Sequence, residues 1–503
     1  MLCRLTSAAV LGIDAIPIEV EVDISGGLPG FHLVGLPMGA VREGSVRIKA
    51  ALANSSYSLG CSRVTVNLAP ADLRKEGAAF DLAIAIGSLV AKGLLKDVRK
   101  DLLLAGELSL DGRVRSIRGV LSLAELAARM GLKGMVLPAV NAAEAALVEG
   151  LEIYGVETLQ QAVSVLAGGE GAVRPSDPTS VREENSGVDF AELVGQREAR
   201  RAAEVAAAGG HNLMLVGPPG SGKTMIARRL GTILPPLTRI EAIEATKVHS
   251  VAGLLGERHL VPERPFRAPH HTCSHVGLVG GGAPPRPGEV SLAHHGVLFL
   301  DELPEFQRAA LEALRQPLED GQVTIVRARQ SVTFPSRFML VAAMNPCPCG
   351  YAGSTVRVCT CGEKEARRYR GRISGPLLDR FDLFISVGPV PTKALLGGEP
   401  GESSGAIRER VARARRRQAE RFRRKRIHCN AQMSARQLGR HVALGTRSTA
   451  LLTEYAEAHR VSARALHRTC RVARTIADLE DRDDVTEEHL LLALTLQQAR
   501  WML

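Results

Sequence analysis

The segment Gly217-Pro-Pro-Gly-Ser-Gly-Lys-Thr224 constrains the fold of this chain more than any other. It follows the apolar run 212–216, which predicts a buried strand, and precedes the helix-prone run 225–230. The pattern G-x-x-x-x-G-K-T between a strand and a helix is typical of a phosphate-binding loop. Its glycines let backbone N–H groups approach phosphate oxygens, and the amino end of the helix adds a positive dipole. The sequence therefore predicts a nucleotide-binding α/β core built on a parallel sheet.

The predicted nucleotide contacts start from this loop. Lys223 can reach the β- and γ-phosphates of ATP, and the hydroxyl of Thr224 can bind Mg²⁺. We expect ATP and Mg²⁺ as cofactors. The predicted loop contacts are Gly217, Pro218, Pro219, Gly220, Ser221, Gly222, Lys223 and Thr224.

Polar residues end two further apolar strands. The run 296–300 leads into Asp301 and Glu302, and the run 338–344 leads into Asn345. An acid at the carboxyl end of such a strand can hold Mg²⁺, and a second acid beside it can orient and deprotonate the attacking water. Asn345 is predicted to sense the γ-phosphate. A single strand-ending acid is often only a cap, but two adjacent acids favour the catalytic interpretation.

With these motifs, the chain resembles the ComM/YifB family of magnesium-chelatase-like AAA+ ATPases over essentially its full length. The segments that carry the resemblance are Gly209–Thr224, Arg264-Pro-Phe-Arg-Ala-Pro-His-His271, Val279-Gly-Gly-Gly282, Pro287–His294, Asn345-Pro-Cys-Pro-Cys-Gly350, Ser374–Asp382 and Ser462-Ala-Arg-Ala465.

The resemblance implies roles for residues outside the loop. Arg380 matches the arginine finger that reaches the ATP of a neighbouring subunit, with Arg372 as a nearby competitor. Arg464 matches the sensor-2 arginine on a helical lid, and Val194 and Gly195 belong to the segment that flanks adenine. An arginine supplied by a neighbour makes hydrolysis depend on assembly, and the family's ring is usually hexameric.

The amino-terminal segments 64–77 and 104–114 resemble the family's amino domain, which shares the fold of the Lon-type protease domain. Lon-type catalysis needs a Ser nucleophile activated by a Lys. The match puts Ala79 at the Ser position and Leu121 at the Lys position. The resemblance therefore implies a Lon-protease-like α+β domain that lacks the catalytic Ser and Lys, and serves as a scaffold, a DNA contact or a ring-assembly module.

Composition shifts along the chain predict its domains. The stretch 168–187 is rich in Gly, Pro, Ser and charge, as is 397–405, and the part after it reads as all helix. We predict a Lon-like domain at 1–167, a linker at 168–187, the AAA+ core at 188–393 and an all-helical lid domain at 394–503. The amino terminus does not read as a signal peptide and no apolar run is long enough for a membrane helix, so a cytoplasmic location is expected.

Basic residues concentrate in one stretch. The formal net charge is +11, and Arg408–Arg426 contains eleven Arg or Lys against two Glu. This excess favours a polyanionic partner, most commonly nucleic acid. The alternatives are a solvated helix face or arginines paired with acids elsewhere. The predicted DNA contacts are Arg415, Arg416 and Arg417 here, and Arg327 and Arg329 in a hairpin predicted between 321 and 335, where an ordinary charged turn is the alternative.

Four of the nine cysteines cluster as Cys347-Pro-Cys349 and Cys359-Thr-Cys361. Four thiolates this close suit a structural, tetrahedral Zn²⁺, although the usual zinc spacing is C-x-x-C. Four reduced thiols or a redox pair are the alternatives. The adjacent His270 and His271 look like a metal or catalytic pair, but in a Pro-rich loop a structural role is also open.

We expect an ATP-dependent DNA translocase or helicase that promotes branch migration during recombination of incoming or damaged DNA, as in natural transformation. A motor subunit for metal insertion into a tetrapyrrole, and a protein unfoldase, are the alternatives. The Lon-like domain argues against the first, and the lack of an evident aromatic-hydrophobic pore loop argues against the second.

Overall fold

The computed structural model describes residues 2–75, 77–169, 187–256, 258–327, 330–354, 357–390, 397, 401–423 and 427–502. Most of the predicted linker 168–187, the predicted boundary at 393 and Arg329 lie outside these ranges. The described residues form an amino-terminal α+β part, an α/β core and a carboxyl-terminal helical part.

The amino-terminal part is built on a seven-stranded mixed sheet. Its strands are β1 (Leu2–Leu11), β2 (Asp14–Ser25), β3 (Gly30–Val34), β4 (Arg63–Ala69), β5 (Leu102–Leu104), β8 (Gly134–Pro138) and β9 (Glu152–Val156), with the small pair β6 (Glu107–Leu108) and β7 (Val114–Arg115) beside it. The helices are α1 (Ala40–Asn54), α2 (Asp81–Lys92), α3 (Val120–Arg129), α4 (Ala142–Ala145), α5 (Leu159–Leu166) and a 3-10 turn at Ala139–Asn141.

The strand order in this sheet is β3-β4-β2-β1-β5-β8-β9. β2 is antiparallel to β1 and β4, and the remaining pairs are parallel. The alternation predicted for β2 is present, because Ile18, Val20 and Val22 are buried while the residues between them are not. The apolar helix α2 packs on this face of the sheet.

The core is a five-stranded parallel sheet flanked by helices. Its strands and hairpins are β10 (Leu213–Val216), β11 (Phe266–Arg267), β12 (Gly280–Gly281), β13 (Arg286–Pro287), β14 (Val297–Leu300), β15 (Gln322–Arg327), β16 (Gln330–Pro335), β17 (Met339–Met344) and β18 (Leu383–Ser386). Its helices are α6 (Arg197–Gly209), α7 (Lys223–Ile233), α8 (Arg239–Ala252), α9 (His275–Val279), α10 (Glu289–Leu292), α11 (Arg308–Ala313), α12 (Arg315–Asp320), α13 (Glu363–Arg370) and α14 (Gly375–Leu378), with 3-10 turns at Phe190–Glu192 and Leu303–Glu305.

The order of the main sheet is β11-β14-β17-β10-β18, all parallel. All four residues of β10 are buried, as are those of β14. Strands buried on both faces by helices read as continuous apolar runs, which is why they could be predicted. The α/β fold class with a parallel sheet, flanking helices and a carboxyl-terminal helical region is confirmed.

The carboxyl-terminal part is helical throughout. Its helices are α15 (Ser404–Arg421), α16 (Ala435–His441), α17 (Thr446–His459), α18 (Ala463–Leu479) and α19 (Glu487–Thr495), with 3-10 turns at Asn430–Gln432 and Gln498–Met502. α15 and α18 pack against α6. At the centre of this helical part, the buried carboxylate of Asp478 accepts hydrogen bonds from Arg421, Arg474 and Asn430. None of the helices in the described ranges combines the length and apolar character that a membrane crossing requires.

Helix α8 joins the core to the amino-terminal part. The Ser250 hydroxyl donates to Glu144 Oε1 at 2.5 Å and accepts from the Gly119 N–H at 2.9 Å. One turn earlier, Lys247 Nζ lies 2.8 Å from Glu125 and 3.3 Å from Asp14. Burial raises the pKa of Glu144. These contacts of α8 tie the amino-terminal part to the core.

Candidate nucleotide-binding site

The predicted phosphate loop lies at the carboxyl end of β10. Gly220 and Gly222 have φ values of 74° and 88°, in the left-handed region that glycine adopts without strain, and Lys223 begins α7. The Lys223 ammonium donates to the carbonyls of Gly217 at 2.7 Å and Pro218 at 2.9 Å, and to Asn345 Oδ1 at 3.2 Å. Burial lowers its pKa, and the charges of Asp301 and Glu302 oppose this shift. The ammonium is therefore held at the mouth of the loop, where phosphate oxygens can replace these acceptors.

Thr224 and Asp301 meet at the same edge of the sheet. Thr224 Oγ1 donates to Asp301 Oδ2 at 2.8 Å, across 77 residues of sequence. A hydroxyl beside a carboxylate is the oxygen donor set that Mg²⁺ prefers, so these two residues fit the ion. The carboxyl ends of β10, β14 and β17 thus bring Lys223, Asp301 and Asn345 together, as the motif order predicts.

Glu302 follows β14 and has an unusual backbone conformation. Its φ is 51°, and its N–H donates to Asp301 Oδ1 at 2.9 Å. Its carboxylate lies 3.1 Å from His271 Nδ1, at ion-pair distance. His271 follows β11 and was not predicted as part of this site, although the sequence marked it out beside His270.

The segment predicted to flank adenine lies against the phosphate loop. Gly195 has a φ of 71°, and Val194 precedes it in a half-buried position. The next residue, Gln196, donates from its side-chain amide to the carbonyl of Ser221 in the loop. Gln196 is a loop contact that sequence reasoning missed, and its adjacency to Gly195 was the available signal.

Arg380 lies at the opposite edge of the sheet. Its carbonyl accepts from Asn212 Nδ2 at 2.8 Å, and Asn212 directly precedes β10. The four residues of β10 separate this edge from the phosphate loop by about 13 Å. The Arg380 side chain forms an ion pair with Glu319, and its buried Nε has no hydrogen-bond partner within the part of the chain described.

Arg464 shares this distal edge with Arg380. On α18, Arg468 donates to the carbonyls of Asp379 at 2.8 Å and Phe381 at 3.2 Å. Arg464 lies one helical turn earlier on the same helix face. Arg464 lines the same cleft as Arg380. This cavity has a volume of about 630 Å³, and its lining also includes Arg264, Arg337, Arg415 and Arg471. Burial, followed by the charge of Arg464, lowers the pKa of Arg380.

Arg372 occupies a different position from Arg380. Its guanidinium donates to the Pro304 carbonyl at 3.3 Å and to Glu305 Oε2 at 2.8 Å. Both acceptors directly follow the Asp301–Glu302 pair. Arg372 therefore lies on the side of the sheet that carries its own phosphate loop.

The four clustered cysteines converge in space. The Sγ–Sγ distances are 3.4 Å for Cys347–Cys349, 3.7 Å for Cys347–Cys359 and 3.6 Å for Cys349–Cys359. Four sulfurs around a tetrahedral zinc are about 3.8 Å apart, given a Zn–S bond of about 2.3 Å. The backbone N–H of Cys349 lies 3.3 Å from Cys361 Sγ, in donor geometry. The cluster therefore fits zinc, and Gly350 at its start packs against Pro219 of the phosphate loop.

Contacts differ among the predicted DNA-binding arginines. Arg415 donates to the Ala207 carbonyl at 2.9 Å, and Arg417 forms ion pairs with Asp481 and Asp483. Arg416 is exposed. The hairpin predicted between 321 and 335 is present as β15 and β16, with Arg327 exposed at the end of β15. Arg416 and Arg327 are thus directed to solvent, whereas Arg415 ties α15 to α6 of the core and Arg417 pairs with acids of the helical part.

A second group of potential metal ligands, Glu244, His294 and His295, does not suit a metal. Its ligand atoms lie within 4.8 Å of one another. However, His294 Nδ1 accepts from the Arg337 backbone N–H at 3.0 Å, so the proton of the neutral ring lies on Nε2, facing Glu244 Oε2 at 3.4 Å. Burial lowers the pKa of His294 to about 4, which keeps the ring neutral. We interpret this group as a hydrogen-bonded cluster before β14.

Three family profiles match the chain, each over one of its parts. "Subunit ChlI of Mg-chelatase" matches residues 20–141, "Magnesium chelatase, subunit ChlI" matches 189–395, and "Magnesium chelatase, subunit ChlI C-terminal" matches 401–497.

Full-length relatives cover nearly the whole chain. The competence protein ComM of Haemophilus influenzae is 44% identical over 495 residues, covering 97% of this chain and 96% of that protein. The uncharacterized protein YifB of Salmonella typhimurium is 42% identical over 496 residues, covering 97% and 95%. An uncharacterized protein of Mycobacterium tuberculosis is 45% identical over 498 residues, covering 98% of each.

Proposed function

This chain belongs to the ComM/YifB family of magnesium-chelatase-like proteins, and on that premise we propose that it is a Mg²⁺-dependent ATPase. It assembles into a ring of identical subunits, six by family resemblance. The ring translocates on DNA in the cytoplasm and promotes branch migration at junctions during recombination. The observation that carries this proposal is the separation of Arg380 and Arg464 from the phosphate loop of their own subunit.

The residues around the phosphate loop divide the work of hydrolysis. Lys223 neutralises charge on the β- and γ-phosphates, and Asn345, hydrogen-bonded to it, contacts the γ-phosphate or the attacking water. Thr224 and Asp301 hold Mg²⁺, which neutralises charge that develops on the phosphate oxygens. Glu302 orients the attacking water and takes its proton. The nucleotide site is delimited on the other side of the loop by Val194, Gly195 and Gln196.

Arg380 and Arg464 complete the site of a neighbouring subunit. Both lie in the cleft at the amino edge of the sheet, about 13 Å or more from their own phosphate loop. Glu319 pairs with the Arg380 guanidinium, while burial and then the positive charge of Arg464 oppose its charged form. The phosphates of a neighbour's ATP would add negative charge beside both arginines. Hydrolysis in this arrangement requires assembly.

DNA contacts are proposed for exposed basic groups. Arg327 is exposed at the end of β15, and Arg416 is exposed on α15. The proposal depends less on the remaining predicted DNA contacts, which are Arg329, Arg415 and Arg417. Arg329 lies outside the described residues, and the guanidinium groups of the other two are engaged within the chain.

The cysteine cluster is proposed to hold one structural zinc ion. Four protein thiolates fill a tetrahedral shell and leave no open position for a substrate, so the ion would be structural. Its effect would be to hold the loop that links Asn345 to Arg380 against Pro219 of the phosphate loop.

A DNA-dependent ATPase assay tests the proposal. We expect four-way or forked DNA to increase ATP turnover at low salt, and the increase to disappear as salt rises. Lys223→Ala should abolish turnover without unfolding the protein. Turnover by the wild-type protein that is indifferent to branched DNA at low salt would contradict the DNA function, and turnover that persists in the Lys223 variant would contradict the site.

The exposed arginines are tested by a matched pair. Each phosphate contact contributes about 0.9 to the slope of log K against log[salt]. We expect Arg416→Ala to lower that slope by about one such contact, whereas Arg417→Ala, which removes ion pairs with Asp481 and Asp483, should leave it unchanged. Equal effects of both substitutions on DNA binding would remove Arg416 from the proposal.

Two other functions remain as outcomes of the same assay. The chelatase names of the family profiles favour a motor for metal insertion into a tetrapyrrole, which predicts that a tetrapyrrole substrate and partner subunits, rather than DNA, stimulate turnover. The apolar Val326, 73% exposed beside Arg327, is the feature that favours a protein unfoldase, for which an unfolded polypeptide would stimulate turnover.

A further inference from the structure

A groove in the amino-terminal part is lined by helix α1 and by the start of strand β3. Lys49, Leu52 and Ala53 line it from α1, and Pro29–Phe31 line it from the strand. The rest of its lining comes from the loop that joins α1 to β4. The groove has a volume of about 490 Å³, which is within the usual range of ligand pockets. None of the described residues that line it belongs to the candidate nucleotide site.

Apolar side chains line this groove and surround it. Phe31 and Leu59 line the groove and are only partly buried against the core of the amino-terminal part. Leu28, just before the lining segment, is 90% exposed, and Val46, one helical turn before Lys49 on α1, is also exposed. A single exposed apolar residue is ordinary, but a group of them around a concave surface is typical of a binding site.

Strand β3 also offers a free sheet edge. It pairs with β4 on one side, and no strand of the described ranges pairs with its other side. Proteins usually protect such an edge with charged residues or proline, because its N–H and C=O groups can pair with an added strand. The opposite edge strand, β9, follows this rule, since its Glu152 pairs with Arg99. The sequence of β3 contains no proline and no acidic, lysine or arginine residue, so this edge is unprotected.

Two ammonium groups border the groove. Lys49 Nζ lies over the ring of Phe31, 5.7 Å from its centroid. Lys92 Nζ donates to Ser62 Oγ at 2.8 Å, and it would lie 4.0 Å from a methyl group added to Gly60. Within the part of the chain that the structure describes, neither ammonium group has a carboxylate partner and no acid lines the groove. Uncompensated positive charge beside an apolar groove favours a ligand that carries carboxylates next to apolar side chains.

We propose that this groove binds an extended peptide segment of a partner protein, with apolar side chains in the groove and carboxylates beside Lys49 and Lys92. The main chain of the peptide pairs with the free edge of β3, which provides affinity, while the groove and the ammonium groups select its side chains. A nucleic acid is less suitable, because its backbone cannot continue the hydrogen-bond ladder of β3. Such a contact attaches the ATPase to a second protein without using the phosphate loop, and it does not depend on the proposed DNA function.

Selection from a phage-displayed library of random peptides tests the proposal, with the full chain as the immobilised target. Peptides of about eight residues are long enough to span the five residues of β3. Ala53→Trp is the counter-selection target, because it fills the groove from an exposed position of α1. We expect the peptides that only the wild-type chain retains to combine Asp or Glu with Leu, Ile or Phe. The proposal fails if no peptide is enriched over the variant, or if the enriched peptides lack acids.

Fluorescence anisotropy with the tightest selected peptide then measures the charge contacts. Lys49→Ala should raise Kd up to about fivefold, as for the loss of one exposed ion pair, and Lys49→Glu about tenfold or more, since repulsion replaces attraction. Lys133→Ala, which removes the same charge near the opposite edge of the sheet, should leave Kd unchanged. Equal Kd values for the wild type and Lys49→Glu would overturn the assignment, as would an equal loss in Lys133→Ala.

Other occupants of the groove would give different results. A second copy of the chain predicts that Ala53→Trp lowers the oligomer mass in sedimentation and that no library peptide binds. A nucleic acid predicts that Lys49→Glu weakens oligonucleotide binding and, again, that no peptide binds. Either result would overturn the proposal. The melting temperature of Ala53→Trp should match that of the wild type, which excludes misfolding as the cause of lost binding. ATP turnover that ignores DNA would contradict the DNA function and leave the peptide site intact.

Discussion

Mixing two inactive variants offers the sharpest test of the assembled active site. Lys223→Ala disables the phosphate loop, and Arg380→Ala removes the guanidinium at the opposite edge of the sheet. Each should abolish ATP turnover by itself. Because the two groups are about 13 Å or more apart within one subunit, the proposal assigns them to different active sites of the ring. A mixture of the two variants therefore contains interfaces in which both groups are intact.

The magnitude follows from counting interfaces. In a ring that assembles at random from equal amounts, an interface is intact when the Arg380→Ala subunit supplies the loop and the Lys223→Ala subunit supplies the arginine. Each condition holds for half of the subunits, so we expect about one quarter of the wild-type turnover, whatever the ring size. The assay is ATP turnover at fixed total protein across mixing ratios, with a maximum at equal amounts.

The controls come from the same site. Lys223→Ala mixed with Asp301→Ala should remain inactive, because both changes damage the loop side of every interface. Arg380→Ala mixed with Arg464→Ala should also remain inactive, because both arginines lie on the other side. Activity in this last mixture would mean that Arg464 serves its own subunit. No recovery in the first mixture, with assembled rings present, would refute the assignment of Arg380 to a neighbour's site.

Three further predictions concern stability and metal binding. The purified protein should contain about one zinc per chain, which Cys359→Ser should remove with a fall in melting temperature, while Cys470→Ser retains the metal. Asp478→Ala should lower the free energy of unfolding by about 3 kcal/mol or more in denaturant titrations, because it leaves buried arginines without their carboxylate partner. Substitution of the exposed Asp481 by Ala should lower the free energy of unfolding much less. His294 has a pKa of about 4 when folded against about 6.5 when unfolded, so the unfolded chain binds its proton first as pH falls. Stability should therefore decline between about pH 6.5 and 4 by about 3 kcal/mol from this group, and unfolding of His294→Gln should lack that component; an unaltered pH slope would contradict it.

Local sequence pattern was sufficient for the phosphate loop. A strand buried on both faces must be apolar along its length, and a loop that admits phosphate needs glycine at fixed places, so both leave a continuous signature. Asp301, Asn345 and the loop could be assigned to one edge because parallel strands bring their carboxyl ends together. Local pattern also predicted the hairpin β15–β16, and close spacing along the chain indicated a cluster of the four cysteines.

The sequence was less informative about side-chain contacts where one residue type recurs on nearly every face of a helix. The arginines of α15 could not be sorted from sequence, since the stretch offers Arg to nearly every helix face. Packing distinguishes them. Arg410, Arg417 and Arg421 lie on one helix face, at spacings of seven and four, and pair with acids of the surrounding elements. Three of the eleven basic residues in the stretch that indicated a polyanion are thus paired with acids within the fold.

By itself, the sequence determined the fold class, the nucleotide loop and the family, because each depends on residues close together along the chain. Only the tertiary structure decided how distant segments meet. It put Arg380 and Arg464 in one cleft at the far edge of the sheet, and it brought His271 to the Glu302 carboxylate. Such meetings depend on how strands and helices pack across hundreds of residues, and no local pattern encodes them.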